Sequence, residues 1–285
     1  MRTFLNTTIL LSLIIGFVAC SNENEGLKTS IAKQAECIGE MHNGGLDFIF
    51  AHLESLGENG NSSLRISTSA TKTTSVQLAT VSRDYLQATP NFTTVISTNK
   101  IECLAVDLDI ISSNFTKEGI QTYWKSIIND DSFKSIALSS IEQQAFSKVE
   151  QIFLNLSNST LSERQQYDYI KTNIAQINST YGSNMVNQSE LLCGLLSIMD
   201  SSNDYWLNAS ITTTTTADKP IPFNSYVVQV DAMGYIIGWV RAVIEDQKRY
   251  PTQAEYGAHS SDRIQSGLWG ALAASGVRAV IKYYC

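Results

Sequence analysis

The stretch that determines the fold is residues 230–244, VDAMGYIIGWVRAVI. Its apolar residues recur every three or four positions, which is the period of one face of an α-helix. A second segment, residues 264–284, is rich in glycine and alanine. Glycine destabilises a helix interior by about 1 kcal/mol relative to alanine, so this composition indicates helix backbones that pack closely. We predict a C-terminal helical hairpin over residues 225–285. The residues expected at its helix contact are Gly234, Gly238, Gly267, Gly270, Ala271 and Ala274.

Small residues at this spacing also join helices inside membranes. Asp231 and Arg241 interrupt the first helix of the hairpin, however, and Arg278 and Lys282 lie only four residues apart in the second. Charges at these positions are costly in a bilayer. We therefore favour a tightly packed soluble hairpin and keep membrane insertion as the alternative.

Upstream of the hairpin the apolar pattern is also helical. Residues 138–156, 160–181 and 184–207 each repeat at three and four positions, and the last helix is expected to end near Trp206. Residues 31–57 predict two helices separated at the glycine pair after His42, whereas residues 92–116 fit either short strands or a helix. We predict a mostly α protein, an irregular multi-helix bundle that forms a single helical domain over residues 31–285.

Composition excludes several classes of protein. The chain has 285 residues, of which 43% are hydrophobic and 16% charged, enough to bury a sizeable core. The net charge of −7 argues against a nucleic-acid partner. A collagen, a coiled-coil rod, a dense disulfide scaffold and a polytopic membrane protein are all incompatible with these values.

The N-terminus has the features of an export signal. Arg2 precedes a short uncharged apolar run, residues 9–18, and a polar stretch begins at Ser21. The run is too short for a comfortable membrane span, which favours a secretion signal. One interpretation is an ordinary signal peptide cut after Cys20.

The motif Phe17-Val18-Ala19-Cys20 resembles the lipobox of bacterial lipoproteins, although the usual residue at position 17 is leucine. The resemblance implies that residues 1–19 are a lipoprotein signal peptide, that Cys20 receives the lipid, and that residues 20–30 form a lipidated tether. The acidic tether is similar to those of Bacteroidota lipoproteins. Ser21, in place of an aspartate after the cysteine, implies delivery to the outer membrane.

A second resemblance covers most of the mature chain. The segments that carry it are His42-Asn43-x-Gly45-Leu46-Asp47, residues 192–206 and the Gly/Ala-rich final hairpin. In this order they are similar to uncharacterised helical lipoproteins of Bacteroidota. This resemblance implies an architecture but no activity.

The mature chain retains four cysteines after Cys20, namely Cys37, Cys103, Cys193 and Cys285. A core of this size does not need disulfides for stability. We therefore favour buried free thiols over disulfide bonds and leave the pairing open. No Cys-x-x-Cys motif is present, so a zinc or redox-pair site has no support. Eight Asn-x-Ser/Thr sequons are attributed to chance in a chain rich in these residues.

The densest ionisable cluster lies near the start of the mature chain. Its members are Glu36, Cys37, Glu40, His42 and Asp47. Their spacing matches no metal-binding pattern, and a metal would need ligands from elsewhere in the chain. We interpret the cluster as a solvated helix face, with His42 capping a helix end at the glycine pair.

Other polar residues have similarly ordinary interpretations. His259 and Asp262 flank a helix start, where Asp262 or a neighbouring serine caps the N-terminus. Asp107 and Asp109 would share one side if the chain were extended there, but two carboxylates are a weak calcium signal. The four tryptophans fall in apolar helical phases, which predicts core packing.

No nucleophile elbow, phosphate-binding loop or metalloprotease motif is present in the sequence. We therefore expect a non-enzymatic cell-envelope lipoprotein, a binding or interaction module without cofactor or metal. Its partners are the membrane, through the lipid at Cys20, and an unidentified protein or small molecule. The alternative is a membrane-active, toxin-like protein that acts through the C-terminal hairpin. A hydrolase with an unrecognised site is a third hypothesis.

Overall fold

The computed structural model describes residues 31–58, 70–90, 92–181, 189–212, 224–250, 256 and 259–284. Over these residues the chain forms ten helices and no strand, so the prediction of a mostly α, multi-helix bundle is confirmed. The helices are α1 (Ile31–Glu58), α2 (Ala70–Gln87), α3 (Thr98–Ser113), α4 (Lys117–Asn129), α5 (Asp131–Lys134), α6 (Ser140–Ser157), α7 (Glu163–Tyr181), α8 (Glu190–Thr212), α9 (Ser225–Arg249) and α10 (Ser260–Tyr284). Residues 1–19, the tether and Cys20 lie outside the described residues.

The helices α9 and α10 form a hairpin at the centre of the bundle. They make the most extensive helix contact in the described chain, and all the other helices pack around them. The helix α9 is long and apolar enough to cross a membrane, but 89% of its apolar segment is buried inside the bundle. A core helix of a soluble protein has the same properties, so the length and hydropathy of α9 do not by themselves indicate a membrane span.

Glycines set the distance between α9 and α10. A Cβ atom on Gly234 would lie 2.7 Å from the Cβ of Ala274 and 2.8 Å from the carbonyl carbon of Gly270. One on Gly238 would collide with the carbonyl group of Ser266, and one on Gly267 with the ring of Tyr235. Ala271 and Ala274 are fully buried. The residues expected at the helix contact therefore lie where the two helices meet or in the core beside it.

The prediction of a helix pair at the start of the domain is wrong. The helix α1 runs without interruption through His42 and the two glycines that follow it. A Cβ on Gly45 would lie 2.5 Å from a methyl group of Leu272 on α10. The second glycine of the pair thus permits close packing of α1 on the hairpin, and it does not end a helix.

Residues 92–116 contain an extended segment followed by the helix α3. The sequence leaves short strands and a helix as alternatives for this range. The helix is correct for α3, and no strand forms there. The extended segment is held on α10 by Gln265, whose Oε1 accepts hydrogen bonds from the amides of Thr93 and Thr94, both at 2.9 Å. Ser97 then caps α3 by accepting a hydrogen bond from the amide of Lys100. A side chain from a distant part of the chain thus fixes a segment whose own pattern is ambiguous.

The amphipathic pattern of residues 138–156 is confirmed in α6, whose buried face includes Val149, Ile152 and Leu156. Ser139 and Glu142 form a capping box at its start. The helix predicted for residues 184–207 continues beyond Trp206, as far as Thr212 in α8.

The four tryptophans are 1–4% exposed, which confirms their assignment to the core. Among the cysteines, Cys193 is buried and forms no disulfide bond, as predicted, whereas Cys103 also forms none but is exposed. Cys37 is disulfide-bonded, contrary to the preference for free thiols. Neither Cys103 nor Cys193 is its partner.

Candidate functional site

A cleft of about 360 Å³ with a mixed polar and apolar lining lies between α4 and α9. We call it the α4–α9 cleft. The helix α4 supplies Tyr123 and Ile127, α5 supplies Phe133, and α9 supplies Ile237 and Val240. Ligand pockets usually have volumes of roughly 300–1,000 Å³ and apolar walls with a few polar groups, and this cleft meets both conditions.

An ion pair forms the polar end of the cleft. Arg241 on α9 contacts the carboxylate of Asp107 on α3 through Nη2, and the hydroxyl of Tyr123 donates a hydrogen bond to the other oxygen of Asp107 at 3.2 Å. The side chain of Asp107 is 16% exposed and that of Arg241 is 41% exposed. The side chain of Arg241 therefore remains partly accessible to a bound molecule while it holds the carboxylate in place, and its buried Nη1 has no hydrogen-bond partner in the described part of the chain.

Burial raises the pKa of Asp107, and the charge of Arg241 together with the hydrogen bond from Tyr123 opposes this shift. Burial and the neighbouring carboxylate raise the pKa of Tyr123. The phenol is therefore neutral at physiological pH and acts as a hydrogen-bond donor. The polar end of the cleft thus offers a cationic donor and a phenol beside an apolar wall.

Asp107 and Asp109 do not form a shared carboxylate site, because α3 is a helix and directs them to different neighbours. Asp109 accepts a 2.6 Å hydrogen bond from Ser75 on α2. Among the described residues no group of three potential metal ligands is present. The two carboxylates instead connect α3 to three other helices: Asp109 to α2, and Asp107 to α4 and α9.

A second set of polar residues lies in the centre of the fold and includes His42. Its ring atom Nε2 lies 2.9 Å from Ser275 Oγ on α10 and 3.7 Å from Asp231 Oδ2 on α9. Ser202 and Trp206 on α8 donate hydrogen bonds to the same carboxylate oxygen at 2.6 and 3.1 Å. These residues join four helices, and we call them the His42–Asp231 cluster.

The prediction that His42 caps a helix is wrong, because its side chain is completely buried. Burial lowers the pKa of His42 and raises that of Asp231, although each attenuates the shift of the other. Both shifts favour the neutral form of the side chain, because the protein interior disfavours charge. The geometry also differs from a catalytic triad, in which serine and aspartate bond to opposite ring nitrogens, since Ser275 and Asp231 both face Nε2.

Glu40 and Asp47 of the ionisable cluster lie apart from the His42–Asp231 cluster. Glu40 is exposed, and Asp47 accepts a hydrogen bond from Tyr205 on α8 at 2.9 Å. Glu36 belongs to α1, but its side chain lies outside the described part of the molecule. His42, Glu40 and Asp47 therefore do not form one site.

A third polar group surrounds Arg263, whose side chain is fully buried. It makes two hydrogen bonds to the carboxylate of Glu190, at 2.7 and 2.6 Å, and one to Asp246 at 2.9 Å. The ring of Tyr256 lies 3.9 Å from its guanidinium carbon. Because these groups bond to one another, their arrangement joins α8, α9 and α10.

His259 and Asp262 lie at the start of α10, as the sequence predicts. His259 Nδ1 is 3.0 Å from Asp262 Oδ2, and its ring stacks on Tyr250 at a centroid distance of 3.9 Å. These contacts order the beginning of α10. Comparison of the chain with protein-family models, with curated proteins and with solved structures finds no match.

Sequence reasoning did not assign a site role to Arg241 or Tyr123. A signal for the first was present, because Arg241 is one of two charged residues in an otherwise apolar helical stretch. Its partner Asp107 lies 134 positions earlier in the sequence (241 minus 107), on a different helix. The cleft is therefore a product of tertiary packing, which local patterns do not reveal.

Proposed function

We propose that the protein is a non-enzymatic lipoprotein of the cell envelope that binds a small amphipathic ligand in the α4–α9 cleft. The observation that carries this proposal is the combination of an apolar wall with the partly accessible side chain of Arg241 in a cavity of about 360 Å³. A ligand with a hydrocarbon body and a polar end matches both surfaces.

The described lining of the cleft supports binding in preference to catalysis. It includes the hydroxyls of Ser126 and Ser132, but no histidine or cysteine among the described residues. A serine nucleophile needs an adjacent base within hydrogen-bond distance. His42 lies in the fully buried His42–Asp231 cluster, where a substrate has no access.

The proposed cellular position rests on the lipobox-like sequence that ends in Cys20. We propose a lipid anchor at this residue in the outer membrane, with the helical domain held away from the bilayer by residues 20–30. Replacement of Cys20 by alanine should abolish fatty-acid labelling and membrane retention. Continued labelling of this variant would exclude the anchor. In a separate experiment, protease treatment of intact cells that carry the wild-type protein would distinguish surface from periplasmic exposure.

Ligand binding is testable with the amphipathic anionic dye 1-anilinonaphthalene-8-sulfonate. We expect saturable fluorescence enhancement with the folded protein. A Ser126→Trp substitution places an indole in the cleft and should weaken dye binding at least tenfold. Lys125→Trp is the matched control, because Lys125 is the exposed neighbour on α4 and does not line the cleft.

Equal dye affinity in the wild type and both variants would place the dye elsewhere and contradict the proposed site. Thermal unfolding of the three proteins provides the folding control, because the dye also binds partly folded states. A loss of dye binding that is confined to Ser126→Trp, at an unchanged melting temperature, is the supporting result.

The second candidate is a membrane-active protein, and the observation in its favour is the length and hydropathy of α9. Insertion of α9 would separate Asp231 from its hydrogen-bond donors on α8, which opposes this function. Dye release from liposomes by the wild type, lost in a Gly234→Leu/Gly238→Leu variant, would favour it. The binding function predicts no release by either protein.

A further inference from the structure

A smaller pocket, separate from the α4–α9 cleft, lies where α9 begins and α6 ends. Its volume is about 100 Å³, and we call it the α6–α9 pocket. Since one water needs roughly 10–15 Å³ of such space, the pocket has room for a group of several heavy atoms. Its polar lining includes Lys117, Ser157, Asn224, Ser225 and Gln229.

Gln229 is the first observation that points to a ligand. The residue is 2% exposed, it lines the α6–α9 pocket, and its Nε2 has no hydrogen-bond partner among the residues that the structure describes. An unsatisfied buried polar group costs roughly 1–3 kcal/mol. A bound molecule that carries hydrogen-bond acceptors would remove this penalty.

The charge around the α6–α9 pocket is the second observation. No aspartate or glutamate is among its lining residues, although the chain carries 27 acidic residues and a net charge of −7. Lys117 is half-buried, and no carboxylate of the described chain forms an ion pair with it. The local charge of the lining is therefore opposite in sign to that of the whole protein.

Two helix termini of opposite partial charge meet at the pocket, and both are capped. The 25-residue helix α9 begins at the pocket, with Asn224 as its N-cap and Ser225 as its first residue. A helix N-terminus carries about half a positive charge, but at the start of α9 the amides of Ser225 and Tyr226 already donate hydrogen bonds to Gln166 Oε1 and Asn224 Oδ1, both at 3.2 Å. The opposing end of α6 is capped, because the carbonyl of Leu156 accepts hydrogen bonds from both the amide and the hydroxyl of Ser159.

We infer that the α6–α9 pocket binds a small oxyanion, a phosphate or a carboxylate group. The ammonium of Lys117 supplies positive charge, and the amide of Gln229 supplies an unpaired donor. The hydroxyls of Ser157 and Ser225 supply further donors. A cation would face Lys117 without a compensating carboxylate, so the lining selects against positive ligands.

Inorganic phosphate is the probe for this site, titrated into the purified protein by calorimetry and followed by thermal unfolding. We expect saturable binding and a phosphate-dependent rise in melting temperature. Lys117→Gln and Gln229→Leu should each raise the dissociation constant at least tenfold. Lys125→Gln on the same helix is the matched control and should bind phosphate as the wild type does, because Lys125 is exposed and does not line the pocket.

Gln229→Leu also separates a folding defect from a binding defect. It removes an unpaired amide from the interior, so without phosphate its melting temperature should equal or exceed that of the wild type. Sodium chloride at equal ionic strength controls for screening, and acetate replaces phosphate in a parallel titration to distinguish carboxylate from phosphate. Absence of specific binding of both anions to the wild type, or unchanged affinity in both pocket variants, would overturn the inference.

Discussion

Replacement of Gly234 by alanine tests whether close contact between α9 and α10 holds the core together. The new Cβ would lie 2.7 Å from the Cβ of Ala274 and 2.8 Å from the carbonyl carbon of Gly270. Non-bonded carbon atoms prefer separations of about 3.5–4.0 Å. The two helices would therefore have to separate by roughly an ångström, since the obstructing atoms include a backbone carbonyl that a rotamer change cannot move.

The magnitude of the effect follows from two opposing contributions. Overpacking of a core costs about 1–3 kcal/mol, and the upper end applies because the contact is with backbone. Alanine in place of glycine in a helix returns up to about 1 kcal/mol. We expect a net loss of about 2 kcal/mol in the free energy of unfolding. For a domain of this size the loss corresponds to roughly 4–8 °C in melting temperature.

The assay is urea or thermal unfolding followed by circular dichroism, and Gly44→Ala is the matched control. Gly44 lies inside α1 and is half-buried, so the same substitution should stabilise the protein by up to about 1 kcal/mol through helix propensity alone. Equal stabilities of the Gly234→Ala and Gly44→Ala variants would refute the reasoning that glycine at position 234 is required by close packing.

Three further predictions concern buried polar groups and the disulfide. Burial lowers the pKa of His42 in the folded state, so below pH 6.5 the unfolded chain binds a proton that the folded chain does not. The free energy of unfolding, measured with urea, should therefore decrease as the pH falls below 6.5. The decrease should be steeper than in a His42→Gln variant. Arg263→Met should cost about 3 kcal/mol, because the variant leaves Glu190 and a second carboxylate without their cation, and a loss below about 1 kcal/mol in chemical unfolding would contradict this. Reduction of the disulfide at Cys37 should lower the free energy of unfolding by about 2–4 kcal/mol, and the melting temperature should fall accordingly. Peptide mapping should identify Cys285 as the partner if Cys20 carries a lipid, whereas a bond to Cys20 would contradict the anchor.

Much of the architecture could be predicted from periodicity, because most helices bury one apolar face. The pattern in residues 138–156 predicts α6 and its buried residues. It fails at the glycine pair in α1, where a local rule associates glycine with helix ends. Gly45 is present because Leu272, on a distant helix, approaches it closely. A glycine that ends a helix and one that admits a neighbour have the same local sequence signal.

The polar sites were less predictable for the same physical reason. His42 resembles a capping residue in the sequence, but its partner Ser275 lies 233 residues away. The unpaired amide of Gln229 has no sequence signal at all, because whether it is satisfied depends on groups that only the fold brings near. Local patterns describe what a residue can do, whereas tertiary packing determines which neighbours it meets.

The two charges in α9 show how this distinction bears on function. Asp231 and Arg241 are 10 residues apart, and in the sequence both interrupt an apolar helix. Asp231 faces the centre of the bundle, where donors on α8 and the ring of His42 surround it, so it joins helices. Arg241 faces outward and is 41% exposed beside a cavity. A buried carboxyl group whose hydrogen-bond donors lie on a neighbouring helix stabilises one arrangement of helices, while a charge that is accessible beside an apolar wall can bind a ligand. This difference in exposure is why we assign binding to the α4–α9 cleft and a structural role to the His42–Asp231 cluster.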